Sequence, residues 1–182
     1  MFVPMDPAAA TGNARELLAA VKAKLGMVPN MTRHMARSPA VLEAYLAMNG
    51  ALAGGTLGAK LREQIALATA QVNDCDYCLS AHSLIGKGAG LGGSDIAKAR
   101  SGEADDGRAG AVLRFVGTLL VSRGQATEHE VAAMRAAGLD DGAIGEVVAN
   151  VALNVFTNYF NNVTHPAIDF PVVRARAAAK AA

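Results

Sequence analysis

Residues 61–90 read LREQIALATAQVNDCDYCLSAHSLIGKGAG, and this stretch decides how the rest of the chain is read. Leu61, Ile65, Leu67, Ala68 and Val72 recur at the three-to-four spacing of an α-helix that ends around Asn73. Asn73 or Asp74 has the side chain to cap a second helix beginning at the cysteines, which would place Cys75 and Cys78 in its first turn. Nowhere does a period-two run of β-branched residues lie between turns. The expected fold class is therefore all α, a helical bundle with its Cys-x-x-Cys motif at the N-terminus of a helix.

Working outward, Asn13 can cap a packing helix with Leu17, Leu18, Val21 and Leu25, closed by Gly26. Val28 to Asn30 break the chain before a short segment carrying His34, and Ser38 with Pro39 starts a helix that stops at Gly54 and Gly55. Beyond residue 90, Ser94 can cap a brief helix through Ile96 and Ala99, and Val112, Phe115, Val116, Leu119 and Leu120 form a stripe closed by Gly124. Thr127 with Glu130 is a capping box for a short helix ending at Gly138. Asp140 or Asp141 caps the longest stripe, Ile144 to Val163, which Pro166 terminates. Asn150, Asn154, Asn158, Asn161 and Asn162 lie opposite that stripe; a solvated face is expected, with an interface or channel lining as the alternative. Asp169 to Pro171 reads as extended. The organisation expected is an arm and packing helix over 1–30, a helical domain over 31–173 and a tail over 174–182, helical or frayed.

The totals narrow the function. A chain of 182 residues fits one domain with a substantial core. Seventeen Lys and Arg against 16 Asp and Glu give a net charge of +1, which argues against a nucleic-acid binder and against a polybasic membrane-surface protein. No apolar run is long enough to cross a bilayer, and the N-terminus lacks a basic leader followed by an apolar stretch, so a soluble, cytoplasmic protein is expected. Two cysteines separated by two residues cannot build a framework of distant disulfides. They point to redox or metal chemistry in a reducing compartment.

On a helix, Cys75 and Cys78 share one side and His82 lies four residues beyond Cys78, so the three can converge. A first-turn cysteine faces free backbone N–H groups and the positive end of the helix dipole, which favour the thiolate; either cysteine can then be the nucleophile. Thiol chemistry with turnover needs a thiolate, a group that manages the proton and a second thiol to condense with a sulfenic acid. Glu63, on the preceding helix, turns back towards His82 if the two helices form a hairpin about Asn73 and Asp74. Tyr77, a quarter turn from Cys78, is expected at a rim or interface. His34 and His129 belong to no constellation, and His165 reads as a helix-end charge. Two thiolates and an imidazole are also three zinc ligands, with His34, His165 or Glu63 as a fourth, but a second cysteine knuckle is missing.

The motif Glu63-x11-Cys75-x-x-Cys78-x3-His82 resembles the alkylhydroperoxidase D family within the carboxymuconolactone decarboxylase-like superfamily. The similarity runs from MARSPAVLEAYL to AAGLDDGAIGEVVANVALNVFTNYFNN and DFP, in the manner of the peroxidase-related branch. The resemblance implies an all-helical homo-oligomer, a trimer or built from trimers as a hexamer is, that reduces hydrogen peroxide or organic hydroperoxides without flavin, haem or metal. By position it implies Cys78 as peroxidatic thiol, Cys75 as resolving thiol, and His82 with Glu63 as proton relay, the pair being restored by an external dithiol of lipoyl or thioredoxin type. Tyr77 stands where the type member has a histidine. The decarboxylase members lack the cysteine pair. The competing expectations are a general disulfide oxidoreductase or redox sensor, and a non-catalytic helical oligomer with a structural zinc or thiol site.

Overall fold

The structure is a computed structural model and describes residues 2–176. Among them run nine helices and no strand: α1 Gly12–Leu25, α2 Asn30–Met35, α3 Pro39–Ala53, α4 Ala59–Val72, α5 Asp76–Gly88, α6 Gly93–Ala99, α7 Gly107–Val121, α8 Glu128–Ala136 and α9 Asp141–Thr164. The first half of the quoted stretch is the hub. From Gln64 to Ala70 every residue of α4 is buried, because α5, α6, α7 and α9 all pack on it. A helix enclosed on all sides needs apolar character all round, and the alternation of Ile65 and Leu67 with Ala66, Ala68 and Ala70 supplies it while leaving room for close neighbours. Leu42, Leu79, Leu113, Val116 and Val147 carry the same core into α3, α5, α7 and α9. No helix of the described residues is long and apolar enough to cross a membrane.

Several caps differ from expectation. Thr11 rather than Asn13 precedes α1, and Gly92 rather than Ser94 precedes α6, whose Asp95 carboxylate accepts the Gly92 N–H at 2.9 Å. In both places residues of cap type stand one or two positions apart, and side-chain chemistry alone does not choose between them. The Thr127–Glu130 capping box forms as read, and Asp140 is the cap of α9, accepting Ala143 N–H at 2.7 Å.

The larger correction is to α9. Asn150, Asn154, Asn158 and Asn161 are buried, whereas Val148, Phe156, Tyr159 and Val163 are exposed. Burying an amide is tolerable when its hydrogen bonds are met. Asn150 and Asn154 donate back to the carbonyls of Glu146 and Asn150, each at 2.8 Å, and Asn158 accepts from Asn73 Nδ2 at 3.0 Å. Ile144, Val147 and Val151 still face the core. The helix thus turns two kinds of side inward, an apolar one and an amide one that reaches Asn73 at the end of α4 and Cys78 on α5.

After α9 the chain runs back irregularly over the start of α5. Val173 N–H donates to Ser80 Oγ at 2.9 Å, Ala175 N–H donates to Asp76 Oδ1 at 2.7 Å, and Arg174 Nη1 reaches Asp76 Oδ2 at 2.7 Å. The first three residues of the expected tail are therefore neither helical nor frayed, and residues 177–182 lie outside the described residues.

Candidate active site

The turn between α4 and α5 builds the site. Asn73 is the C-cap of α4, Asp74 takes the left-handed conformation at φ 49°, and Cys75 N–H donates back to Ala70 O at 3.0 Å. This is the six-to-one closure that ends a helix when the residue after its cap is left-handed. Cys75 then acts at once as the N-cap of α5, its Sγ accepting Cys78 N–H at 3.3 Å. The sequence reading gave that cap to Asn73 or Asp74. Asn73 is instead drawn to α9 by Asn158 and by Asn162 Nδ2, which donates to its carbonyl at 2.7 Å. Only Cys78 lies inside the first turn, and Cys75 is the residue before it.

Both thiols are free and buried, at 0% exposure for Cys75 and 2% for Cys78. Cys78 lines a cavity of about 500 Å³ whose walls come from α1, α2, α3, α4, α5 and α9, and Cys75 sits behind it. The two ionise as a pair. Hydrogen bonding from the Cys78 thiol, working against burial and aided by the Cys78 N–H, Asn161 and the charge of His82, holds the Cys75 thiol below its ordinary range. Burial pushes the Cys78 thiol up and Cys75 pushes it further, while Asn161 and Asn158 pull it down. The first negative charge of the pair therefore belongs to Cys75, and the sulfur that faces the cavity belongs to Cys78.

Glu63 and His82 meet as the hairpin requires, with Glu63 Oε2 at 2.8 Å from His82 Nδ1. Further along α5, Gly86 makes room for Leu91. A Cβ there would fall 2.9 Å from Leu91 Cδ1 and 3.7 Å from the Cβ of Glu63. Burial opposes a charge on His82, but the Glu63 carboxylate outweighs it and raises the imidazole above its ordinary 6.5. Both side chains line the cavity. Among the described residues no hydrogen bond joins His82 to Cys78; helical spacing sets them on one side of α5, and the ring turns towards Glu63 instead. The polar atom at Cys78 Sγ is Asn161 Nδ2, 3.2 Å away, which also lies 3.3 Å from Met31 Sδ. The sequence reached Asn161 only through its alternative reading, a polar lining that leads towards the site: Asn150, Asn154 and Asn161 line the cavity, and the solvated face expected first does not form.

Tyr77 is 6% exposed rather than at a rim. Its hydroxyl donates to Asp169 Oδ2 at 2.6 Å and accepts Met31 N–H at 3.2 Å, and its ring stands edge-on to Phe170 at 5.6 Å. Burial and the Asp169 carboxylate raise the phenol far above its ordinary value, so Tyr77 stays protonated and ties the returning chain to α2 and α5. His165 sits exposed at the end of α9, whereas His34 is buried on α2. Among the described residues no three His, Cys, Asp or Glu side chains are grouped to hold a metal ion.

The family model described as "CMD: Carboxymuconolactone decarboxylase family" matches residues 39–117, which hold Glu63, both cysteines and His82. The solved structure of an alkylhydroperoxidase AhpD core, an uncharacterized peroxidase-related protein from Ralstonia eutropha JMP134, superposes with a TM-score of 0.84 at 25% identity, covering 92% of this chain and 91% of that one. An uncharacterized peroxidase-related protein from Silicibacter sp. TM1040 gives 0.78 at 22% identity over 91% and 90% of the two chains. The debrominase Bmp8, solved as a cysteine-to-alanine variant with 2,3,4-tribromopyrrole, gives 0.77 at 18% identity over 93% and 91%. An uncharacterized protein of Haemophilus influenzae is 50% identical over 46 residues, which are 25% of this chain and 41% of that protein. Fold and site together define an all-helical protein with a buried dithiol at a helix start. The match over residues 39–117 and the shared fold support the AhpD-like, carboxymuconolactone decarboxylase-like superfamily.

Proposed function

We propose that this chain is a thiol-dependent peroxidase in which Cys78 is the peroxidatic thiol, Cys75 the resolving thiol, and His82 with Glu63 the proton relay. The observation that carries this reading is the placement of Cys78 on a cavity wall with Cys75 behind it and the Glu63–His82 pair on the same cavity. The Cys78 thiolate attacks the distal oxygen of the hydroperoxide, an S–O bond forms as the O–O bond breaks, and the leaving alkoxide or hydroxide takes a proton from His82. Cys78 is then a sulfenic acid. The Cys75 thiolate attacks its sulfur, the S–S bond forms, and hydroxide departs as water after protonation. An external dithiol restores both thiols at the cost of its own oxidation.

The burial of both sulfurs favours this cycle over a general disulfide oxidoreductase, because a protein disulfide has no route to a thiol reached only through a cavity, whereas a peroxide does. The same argument favours a lipoyl arm over a flat thioredoxin-type surface as reductant. The exposed side of α9, with Val148, Phe156, Tyr159 and Val163, fits a second copy of this chain and supports a homo-oligomer, the assembly implied by the resemblance.

The test is peroxide consumption with a dithiol donor, alongside sulfenate trapping. Cys78→Ser and Cys75→Ser are each expected to abolish turnover, and only Cys78→Ser to abolish trapping; turnover surviving both substitutions refutes the mechanism. Metal analysis with a thiol count separates the structural-zinc alternative, which requires stoichiometric zinc and unreactive thiols.

A further inference from the structure

The cavity over Cys78 is far larger than hydrogen peroxide needs. At about 500 Å³ it lies in the range of about 300–1,000 Å³ typical of sites for drug-sized ligands. Most of its wall is apolar: Leu25 from α1, Leu46 from α3, Leu84 and Ile85 from α5, and Phe170 from the returning chain. In that wall stands one cation of unusual standing, Arg62, which precedes Glu63 on α4 and lines the same cavity. Its Nε is buried and has no hydrogen-bond partner among the described residues, and no carboxylate among them lies within ion-pair distance of its guanidinium.

The two acidic groups that could have neutralised it are committed elsewhere. Glu63 is bound to His82. Glu146 accepts the N–H groups of Thr56 and Leu57 at 2.9 to 3.0 Å and the Thr56 hydroxyl at 3.1 Å. A half-buried guanidinium that feels Glu146 only at longer range, with no carboxylate in direct contact, keeps part of its desolvation penalty, and a carboxylate bound bidentately to it relieves that penalty.

We propose that Arg62 is the anchor for a carboxylate, and that the substrate class is an amphipathic organic acid hydroperoxide whose apolar body fills the cavity while its peroxide reaches Cys78. This deepens the peroxidase reading and rests on it for the chemistry, though not for the binding. The α4 wall places Arg62 and Glu63 side by side, so the anchored end and the proton relay are set by one rigid helix. A neutral ester of the same body meets the same apolar wall and leaves Arg62 unpaired.

The experiment compares linoleic acid hydroperoxide with its methyl ester as oxidants of the full chain, reading single-turnover loss of the Cys78 thiol, and measures binding of the matching hydroxy acid and its methyl ester to the Cys78→Ser protein, with and without the Arg62 substitutions, by calorimetry. A charge-assisted pair predicts the acid to be favoured about 10- to 100-fold over the ester. Arg62→Gln is expected to bring that ratio close to one in both measurements, and Arg62→Lys to restore part of it. Equal rates and equal binding for acid and ester in the parent protein overturn the proposal while leaving the peroxidase reading standing. Arg62-dependent binding of the hydroxy acid without oxidation by either hydroperoxide upholds the carboxylate site and overturns the peroxidase chemistry instead. Absence of binding by the hydroxy acid, or an acid preference unmoved by Arg62→Gln, overturns the carboxylate site.

Discussion

Replacing Asn161 by leucine tests how the amide face of α9 serves the dithiol. The side chain is 3% exposed; its Nδ2 donates towards Cys78 Sγ at 3.2 Å, and its Oδ1 has no partner among the described residues. A hydrogen bond to a charged group contributes about 1.5–3 kcal/mol, and sulfur is a weaker acceptor than oxygen, so the lower end applies to a Cys78 thiolate. At 1.36 kcal/mol per pKa unit, the loss raises the ionisation that governs Cys78 by about one unit. Below that ionisation, the peroxide step slows by about tenfold at neutral pH. Stability should move little, because leucine keeps the branching at Cγ and removes an unsatisfied carbonyl oxygen whose burial costs about 1–3 kcal/mol, against the crowding of its larger methyl groups. Thiolate absorbance and alkylation rate against pH report the first effect, and urea unfolding reports the second. A pH profile unchanged within about 0.3 unit, with the Asn161→Leu protein folded as the parent is, refutes the idea that Asn161 acts on the sulfur.

His82→Ala tests the linkage of the Glu63–His82 pair to folding. The folded state raises the His82 pKa, so its contribution is fully present below the unfolded value near 6.5 and is lost as pH rises through the folded value. The destabilisation should be larger at about pH 6 than at about pH 9 in urea melts, and an equal loss at both refutes the assignment. Asp74→Gly should raise unfolding free energy by about 0.5–1 kcal/mol, since glycine accepts φ 49° without steric cost; a drop would show that the aspartate side chain holds the turn. Phe156→Glu with Tyr159→Glu should shift the protein to a smaller species in sedimentation velocity, and an unchanged species removes this side of α9 from the interface.

Helix positions were legible because the three-four spacing of apolar residues records which side of a helix meets the core, as at α7. The Glu63–His82 contact was legible for a related reason: two helices joined by the three residues 73–75 lie alongside one another and bring Glu63 Oε2 to His82 Nδ1. The inward turn of Asn150 to Asn161 was not. Periodicity reports that a helix has two unlike sides, and polarity usually says which one is wet; amides that satisfy themselves on the preceding turn carry no mark of it in the sequence. Nor could residue type assign the cap at Cys75, because a left-handed Asp74 hands one residue two roles, closing α4 through its N–H and opening α5 through its sulfur.

That double role divides the labour between the two thiols. Cys75 carries the first negative charge yet lies behind Cys78, and Cys78 meets the cavity yet holds its proton more tightly. For the proposed cycle this order is the useful one. The first step needs Cys78 to lose its proton, and the amides of Asn161 and Asn158 favour that loss against burial and the charge of Cys75. The second step needs a thiolate already formed at Cys75, since any wait for deprotonation would leave the sulfenic acid open to further oxidation. The cap position supplies it. Condensation should then outrun sulfenate formation, so dimedone labelling at Cys78 is expected to be faint in the parent protein and strong in Cys75→Ser at the same peroxide dose, with product mass confirming one dimedone adduct. Equal labelling in the two proteins would mean that the lowered ionisation of Cys75 does nothing for resolution, and would return the choice of nucleophile to Cys75 itself.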